Sequence, residues 1–172
     1  MSRRRPTPKA FWPWVFIFLM LFSLIWMLNR LTRQVREAQG CEQNLLRIYD
    51  VLRLYENDHG YLPSLKLFPQ DPLNDPESLV YVLKTYGLDP ADAVCPSASG
   101  VLREHGISYL WNPALNNTSL LNRPEPTWVL VDLQALDDRV PGPHFGGYNI
   151  LYTDRRVERT LLPPHSLPVQ FD

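Results

Sequence analysis

The sequence predicts an α+β fold: one long N-terminal helix, membrane-spanning in its first half, packed on a small antiparallel β-sheet. Three observations predict it. Ala10 to Leu28 is a run of 19 residues without a charge. Directly after it, Ala38, Cys41, Leu45, Ile48, Leu52 and Tyr55 recur at alternating steps of three and four, the period of one face of a helix. Beyond Pro63 the chain breaks into short segments rich in β-formers and separated by turn residues.

At about 1.5 Å per residue the uncharged run covers about 28 Å, close to the hydrocarbon thickness of a bilayer. Trp12, Trp14 and Trp26 lie near its ends, where aromatic side chains anchor to the interface. Pro13 falls in the first turn, where its missing N–H costs little. A cleaved secretory signal needs a shorter apolar run and small residues at its end, whereas Met27-Leu28-Asn29-Arg30 is bulky and then basic. An uncleaved anchor is therefore expected. Arg3, Arg4, Arg5 and Lys9 precede it, and Arg30, Arg33 and Arg36 follow. The small excess on the N-terminal side weakly favours a cytoplasmic N-terminus and an exported domain. The expected divisions are a basic cytoplasmic tip (1–9), a transmembrane helix (10–28), its continuation (29–60) and a globular domain (61–172).

The stripe from Ala38 to Tyr55 extends the helix to His59, where Gly60 and then Pro63 supply the stop. Gly40 weakens it by about 1 kcal/mol relative to alanine and marks a candidate bend. Arg47, Asp50 and Arg53 are spaced by three, so opposite charges can pair along the helix. A second helix is expected over Pro76 to Tyr86, with Asp75 as N-cap, Pro76 at the first position and Gly87 after the end. Ser64 to Asn74 and Ala91 to Gly100 read as loops. Strands are expected at Ile107–Trp111, Thr127–Leu133, Tyr148–Thr153 and Val157–Leu162. The last two form a hairpin across Asp154-Arg155-Arg156, a turn without glycine. The tail beyond Leu162 reads as irregular.

With 172 residues and a net charge of −1, there is room for one span and one modest core, and no nucleic-acid signature. Catalytic motifs are absent: there is no G-x-S-x-G, no H-E-x-x-H and no P-loop. Two cysteines, Cys41 and Cys95, suit an exported compartment. A disulfide between them would close a loop of about 55 residues, worth about 4 kcal/mol in the chain-entropy model. Two buried free thiols are the alternative. Two isolated cysteines lack the paired spacing of a zinc site, and His59, His105, His144 and His165 show no ligand spacing. His144, before a pair of glycines, either faces a ligand or caps its turn. Asp132, Asp137 and Asp138 are the oxygen donors for calcium, against the plainer reading of solvated loop acids, so no cofactor is expected. Trp111 and Trp128 read as core aromatics, and Arg155, Arg156 and Arg159 as a solvated basic turn. Asn116-Asn117-Thr118 fits a glycosylation acceptor in form only.

Four segments resemble those of the type IV pilin-like and type II secretion pseudopilin proteins, of the kind found in planctomycete and verrucomicrobial bacteria. They are Cys41-Glu42-Gln43-Asn44-Leu45 continuing to Tyr55-Glu56-Asn57-Asp58-His59-Gly60-Tyr61-Leu62-Pro63; Cys95-Pro96; Ser108-Tyr109-Leu110-Trp111-Asn112; and His144-Phe145-Gly146-Gly147-Tyr148-Asn149-Ile150-Leu151-Tyr152-Thr153-Asp154. They occur in the family's order behind a membrane helix and cover most of residues 10–162. The resemblance implies a non-enzymatic component of a secretion or pilus-type assembly in the bacterial inner membrane, with its C-terminal domain periplasmic. Its partners would be the bilayer and other membrane proteins, met through the transmembrane helix and the exported domain. The expected partner-contact residues are His144, Asn149, Asp154, Arg155 and Arg156. Two departures stand out. No glycine precedes Gly40 and no acid precedes Glu37, so prepilin-peptidase processing and the usual glutamate pairing between subunits are not expected. The hairpin turn carries Arg155-Arg156 where relatives carry glycine. The alternatives are an accessory scaffold subunit of an unrelated membrane complex, or a membrane-anchored protein binding a small ligand or glycan.

Overall fold

The computed structural model describes residues 12–121, 124–136, 142–145, 147–164 and 167. The basic tip, the first two residues of the uncharged run, Asp137, Asp138, Gly146, His165 and most of the tail lie outside them. The chain divides into two compact units, Met1–Arg36 and Glu37–Asp172. Helix α1 (Trp12–His59) contributes to both.

In the first unit, α1 is long and apolar enough to cross a membrane, and its apolar side chains are exposed. Trp12 and Trp14 are among them. Trp26 lies under the Arg30 guanidinium, 4.8 Å from its ring centroid, a pairing suited to the headgroup level.

In the second unit, α1 buries Ala38, Cys41, Leu45, Ile48, Tyr49, Leu52 and Glu56. The expected stripe is therefore present, with Tyr55 only half-buried. Gly40 meets the Pro96 ring: a Cβ built on it would stand 3.0 Å from Pro96 Cγ. Close approach of a neighbouring chain explains this glycine. The charges at Arg47, Asp50 and Arg53 do not pair with one another. Arg47 bonds Asp92 at 2.8 Å, Arg53 bonds Glu56 at 3.0 Å, and Asp50 receives both arms of Arg155 at 2.9 and 3.0 Å.

Helix α2 is Leu79–Lys84, shorter than expected. Ser78 is its N-cap, accepting from the Val80 N–H, while Asp75 closes the turn before it through the Glu77 N–H. Asp75 thus satisfies a turn and the helix waits one turn longer. A further short helix, α3 (Gly100–His105), occupies a stretch without a clear periodic signal. Ser99 caps its start, and Gly106 ends it at φ 88°.

The sheet is an antiparallel meander in the order β1 (Tyr109–Trp111), β2 (Trp128–Asp132), β3 (Tyr148–Tyr152), β4 (Val157–Thr160). Each strand is one or two residues shorter than its β-forming stretch. Tyr109, Trp111, Leu130 and Leu151 face a core shared with Cys41, Leu45, Ile48 and Leu52 of α1. Leu110, Val131, Tyr148 and Ile150 face a second core with Ala135, closed by Leu67 and Phe68. A bulge between Trp128 and Leu130 lets Val129 and Leu130 both join the α1 side. Both faces being covered, β2 is buried along its whole length, which explains its unbroken apolar run. Trp111 and Trp128 are core residues as expected. Asn116 is engaged internally, with Trp111 Nε1 and the Leu65 backbone.

Candidate functional site

Four elements of the second unit bring one side chain each to a single buried point. α1 presents Cys41 from its core-facing stripe. The turn before α3 presents Cys95, its N–H donating to Ser108 Oγ at 2.6 Å. Asp132 ends β2, and on that strand's alternation shares the α1-facing side with Leu130. His144 stands in the turn before β3, where it bridges to Gly147. A Cβ on Gly142 would meet the Gly147 carbonyl oxygen, and one on Gly147 would stand 2.9 Å from the Thr160 oxygen. These two glycines let the turn fold tightly enough to aim His144 inward.

One ligand-type atom from each of Cys41, Cys95, Asp132 and His144 lies within 4.8 Å of all the others. Cys95 Sγ is 3.2 Å from His144 Nε2, Cys41 Sγ is 3.5 Å from Asp132 Oδ1, and His144 Nε2 is 3.9 Å from Asp132 Oδ2. All four residues are at most 2 % exposed. Around them is a second layer. Tyr109 Oη sits 3.2 Å from Cys41 Sγ, the Asn149 N–H donates to Asp132 Oδ2 at 2.7 Å, and Ser97 Oγ is 3.4 Å from His144 Nδ1.

The electrostatics follow from this crowding. Burial, then Cys95 beside it, pushes the Cys41 thiol well above its ordinary value. Its hydrogen bond with Cys41, then His144, holds Cys95 down to about 5 against desolvation. Burial, with the charge of Cys95, pushes the Asp132 carboxyl up to about 7. Burial raises Tyr109 strongly as well. Cys41 has one thiol proton, and Cys95, Asp132 and Tyr109 all lie where they can accept it.

This is not a nucleophile–base–acid relay. In such a relay the acid holds the imidazole by the nitrogen opposite the nucleophile. Here Cys95 and Asp132 both face Nε2, and the remaining nitrogen turns to Ser97. The donors converge on one position instead of forming a chain. Asp132, one of the three acids considered for calcium, points at two sulfurs and an imidazole, whereas calcium takes oxygen ligands. Asp137 and Asp138, the other two, lie outside the described residues.

Cys41 and Cys95 do meet at this point, and both thiols are free in the structure. The expected contact surface divides. His144 and Asn149 are buried at 2 % and 1 % exposure, so these two face the interior and not a partner. Asn149 accepts from Arg159, while its Nδ2 has no partner among the described residues. Asp154, Arg155 and Arg156 are exposed. Arg155 holds Asp50, and Arg156 lies near Asp154 and Glu158 and over the Tyr152 ring. The grouping of Asp132 and His144 with the cysteines escaped the sequence reading, because the four are scattered over about a hundred residues. The tight Gly-flanked turn at His144 was its only local signal. Comparison with family models, curated proteins and solved structures returns no match.

Proposed function

We propose that this chain is a membrane-anchored, non-enzymatic component of pilin or pseudopilin type, acting in a secretion or pilus-type assembly. It sits in a bacterial inner membrane with its N-terminus in the cytoplasm and its α+β domain on the far side. One observation carries this reading. The helix Trp12–His59 is apolar and exposed over its first part, yet supplies the core-facing stripe from Ala38 to Leu52 that packs on an antiparallel meander. Here the anchor element supplies part of the core, and the one constellation of reactive groups among the described residues is closed to solvent. Function then lies in contacts: helix packing in the bilayer, and surface contacts around the β3–β4 turn with Asp154, Arg155 and Arg156.

The test is a mild-detergent pull-down of the tagged full-length chain from its native membranes, with mass spectrometry of the eluate. Pilins, pseudopilins or a secretion platform are expected. A different, stoichiometric membrane complex would replace this reading with that of a scaffold subunit. That second reading has one observation in its favour, the lack of any acid before Glu37.

A further inference from the structure

We propose that Cys41, Cys95, Asp132 and His144 form a structural binding site for one zinc-class transition-metal ion, tying α1 to the sheet. The geometry is the first argument. Ligand atoms about 2.0–2.3 Å from a tetrahedral zinc ion stand about 3.3–3.8 Å from one another. Cys95 Sγ to His144 Nε2 at 3.2 Å and Cys41 Sγ to Asp132 Oδ1 at 3.5 Å lie near that range, the other Asp132 oxygen is 3.9 Å from His144 Nε2, and with one ligand atom from each residue no pair exceeds 4.8 Å. The donor set is the second. Two sulfurs, one imidazole and one carboxylate are zinc ligands, and soft sulfur selects against calcium and magnesium.

Third is the charge balance. Asp132 and both cysteines are at most 2 % exposed, and a buried charge is costly unless it is paired or holds a metal. A dication supplies the compensation. A disulfide would join the sulfurs and leave Asp132 and His144 enclosed without it. The fourth argument is the surrounding layer. Ser97 holds the distal nitrogen of His144, the Asn149 N–H holds Asp132, and Tyr109 holds Cys41. Metal sites use such partners to orient their ligands.

The site joins α1, the turn at Cys95, the end of β2 and the turn at His144. These elements are distant in sequence, so one ion fixes the register of the helix on the sheet. The inference does not depend on the pilin-type reading and would hold for a scaffold or binding protein.

The experiment uses the full-length chain in detergent, reduced and stripped with a chelator, then titrated with Zn2+ and separately with Co2+. One equivalent of either is expected. The Co2+ form should show the intense visible absorption of a tetrahedral site and a thiolate-to-cobalt charge-transfer band. Cys95→Ser and His144→Ala should each weaken binding by at least about 100-fold, and Ser97→Ala, outside the ligand set, by about 10-fold. No stoichiometric uptake, an octahedral Co2+ spectrum without a sulfur band, or uptake unaltered in Cys95→Ser and His144→Ala would each overturn the proposal. Should those two variants fail to fold, the wild-type Co2+ spectrum decides alone. Aerobic purification provides a further check: one bound zinc and two thiols that react only after denaturation or chelation are expected, and an intact disulfide with no metal uptake refutes the site.

Discussion

Gly40→Ala sets two opposing effects of known size against each other. Alanine is better than glycine in a helix interior by about 1 kcal/mol. Its methyl would stand 3.0 Å from Pro96 Cγ, with Pro96 Cβ and Cδ at 3.9 Å, closer than ordinary contact. The sign turns on whether Pro96 can retreat. Its carbonyl accepts from Arg103 at 2.7 Å, and the preceding Cys95 is held by its N–H to Ser108 and its sulfur to His144. A ring held on both sides gives little, and overpacking of that kind costs about 1–3 kcal/mol. The net expectation is destabilisation by about 1 kcal/mol. In thermal unfolding of the detergent-solubilised chain this lowers Tm by about 2–8 °C. Pro96→Ala in the same chain removes the obstacle, so the double variant should recover, with a coupling of at least about 0.5 kcal/mol. A rise in Tm for Gly40→Ala alone would refute the reasoning, since it would mean that propensity decides and that Pro96 is not fixed against the helix.

Other perturbations test other parts of the molecule. Glu56 is 6 % exposed and accepts from Ser119 Oγ, from the Leu120 N–H at 2.9 Å and from Arg53 at 3.0 Å. Glu56→Ala leaves buried donors unmatched and should cost about 2–4 kcal/mol in denaturant unfolding, with Glu56→Gln costing less. Leu21→Arg places a charge mid-span, at about 2.5–3.5 kcal/mol on an insertion scale. It should shift the protein from the membrane pellet to the aggregated or soluble fraction, and unchanged carbonate-resistant pelleting would count against a membrane anchor. Adding zinc to the stripped protein at about a thousandfold over its dissociation constant should stabilise the fold by about 4 kcal/mol, raising Tm by about 8 °C or more. An unchanged Tm would contradict the metal site.

Much of the fold is legible in the sequence. Sequence marks the apolar run, the stripe from Ala38 to Leu52, the four β-rich segments and their order, because each is a local pattern repeated at the period of its element. Boundaries fared less well for a physical reason: strand ends depend on what the neighbouring strand offers. The β4 segment stops at Thr160, where its pairing with Tyr148 ends. Helix α2 starts late because Asp75 is engaged in a turn. Glu56, a charged residue near the helix end, is buried because the loop at Ser119 and Leu120 folds over it. The spacing of Arg47, Asp50 and Arg53 suggested pairing along the helix, but other elements supply better partners.

The sequence by itself determined the kind of molecule: an apolar helix, its core-facing continuation and a short meander, with two cysteines placed to approach one another. These are consequences of hydrophobic periodicity, which acts between near neighbours in the chain. Only the tertiary structure decided that Asp132 and His144 join those cysteines at one buried point, that Asn149 and His144 face inward, and that Gly40 makes room for Pro96. The physical reason is the same in each case. A ligand set, a close approach or a buried charge is defined by distances between segments far apart in sequence, and those distances exist only once α1 is seated against the sheet and the turn at His144 has closed.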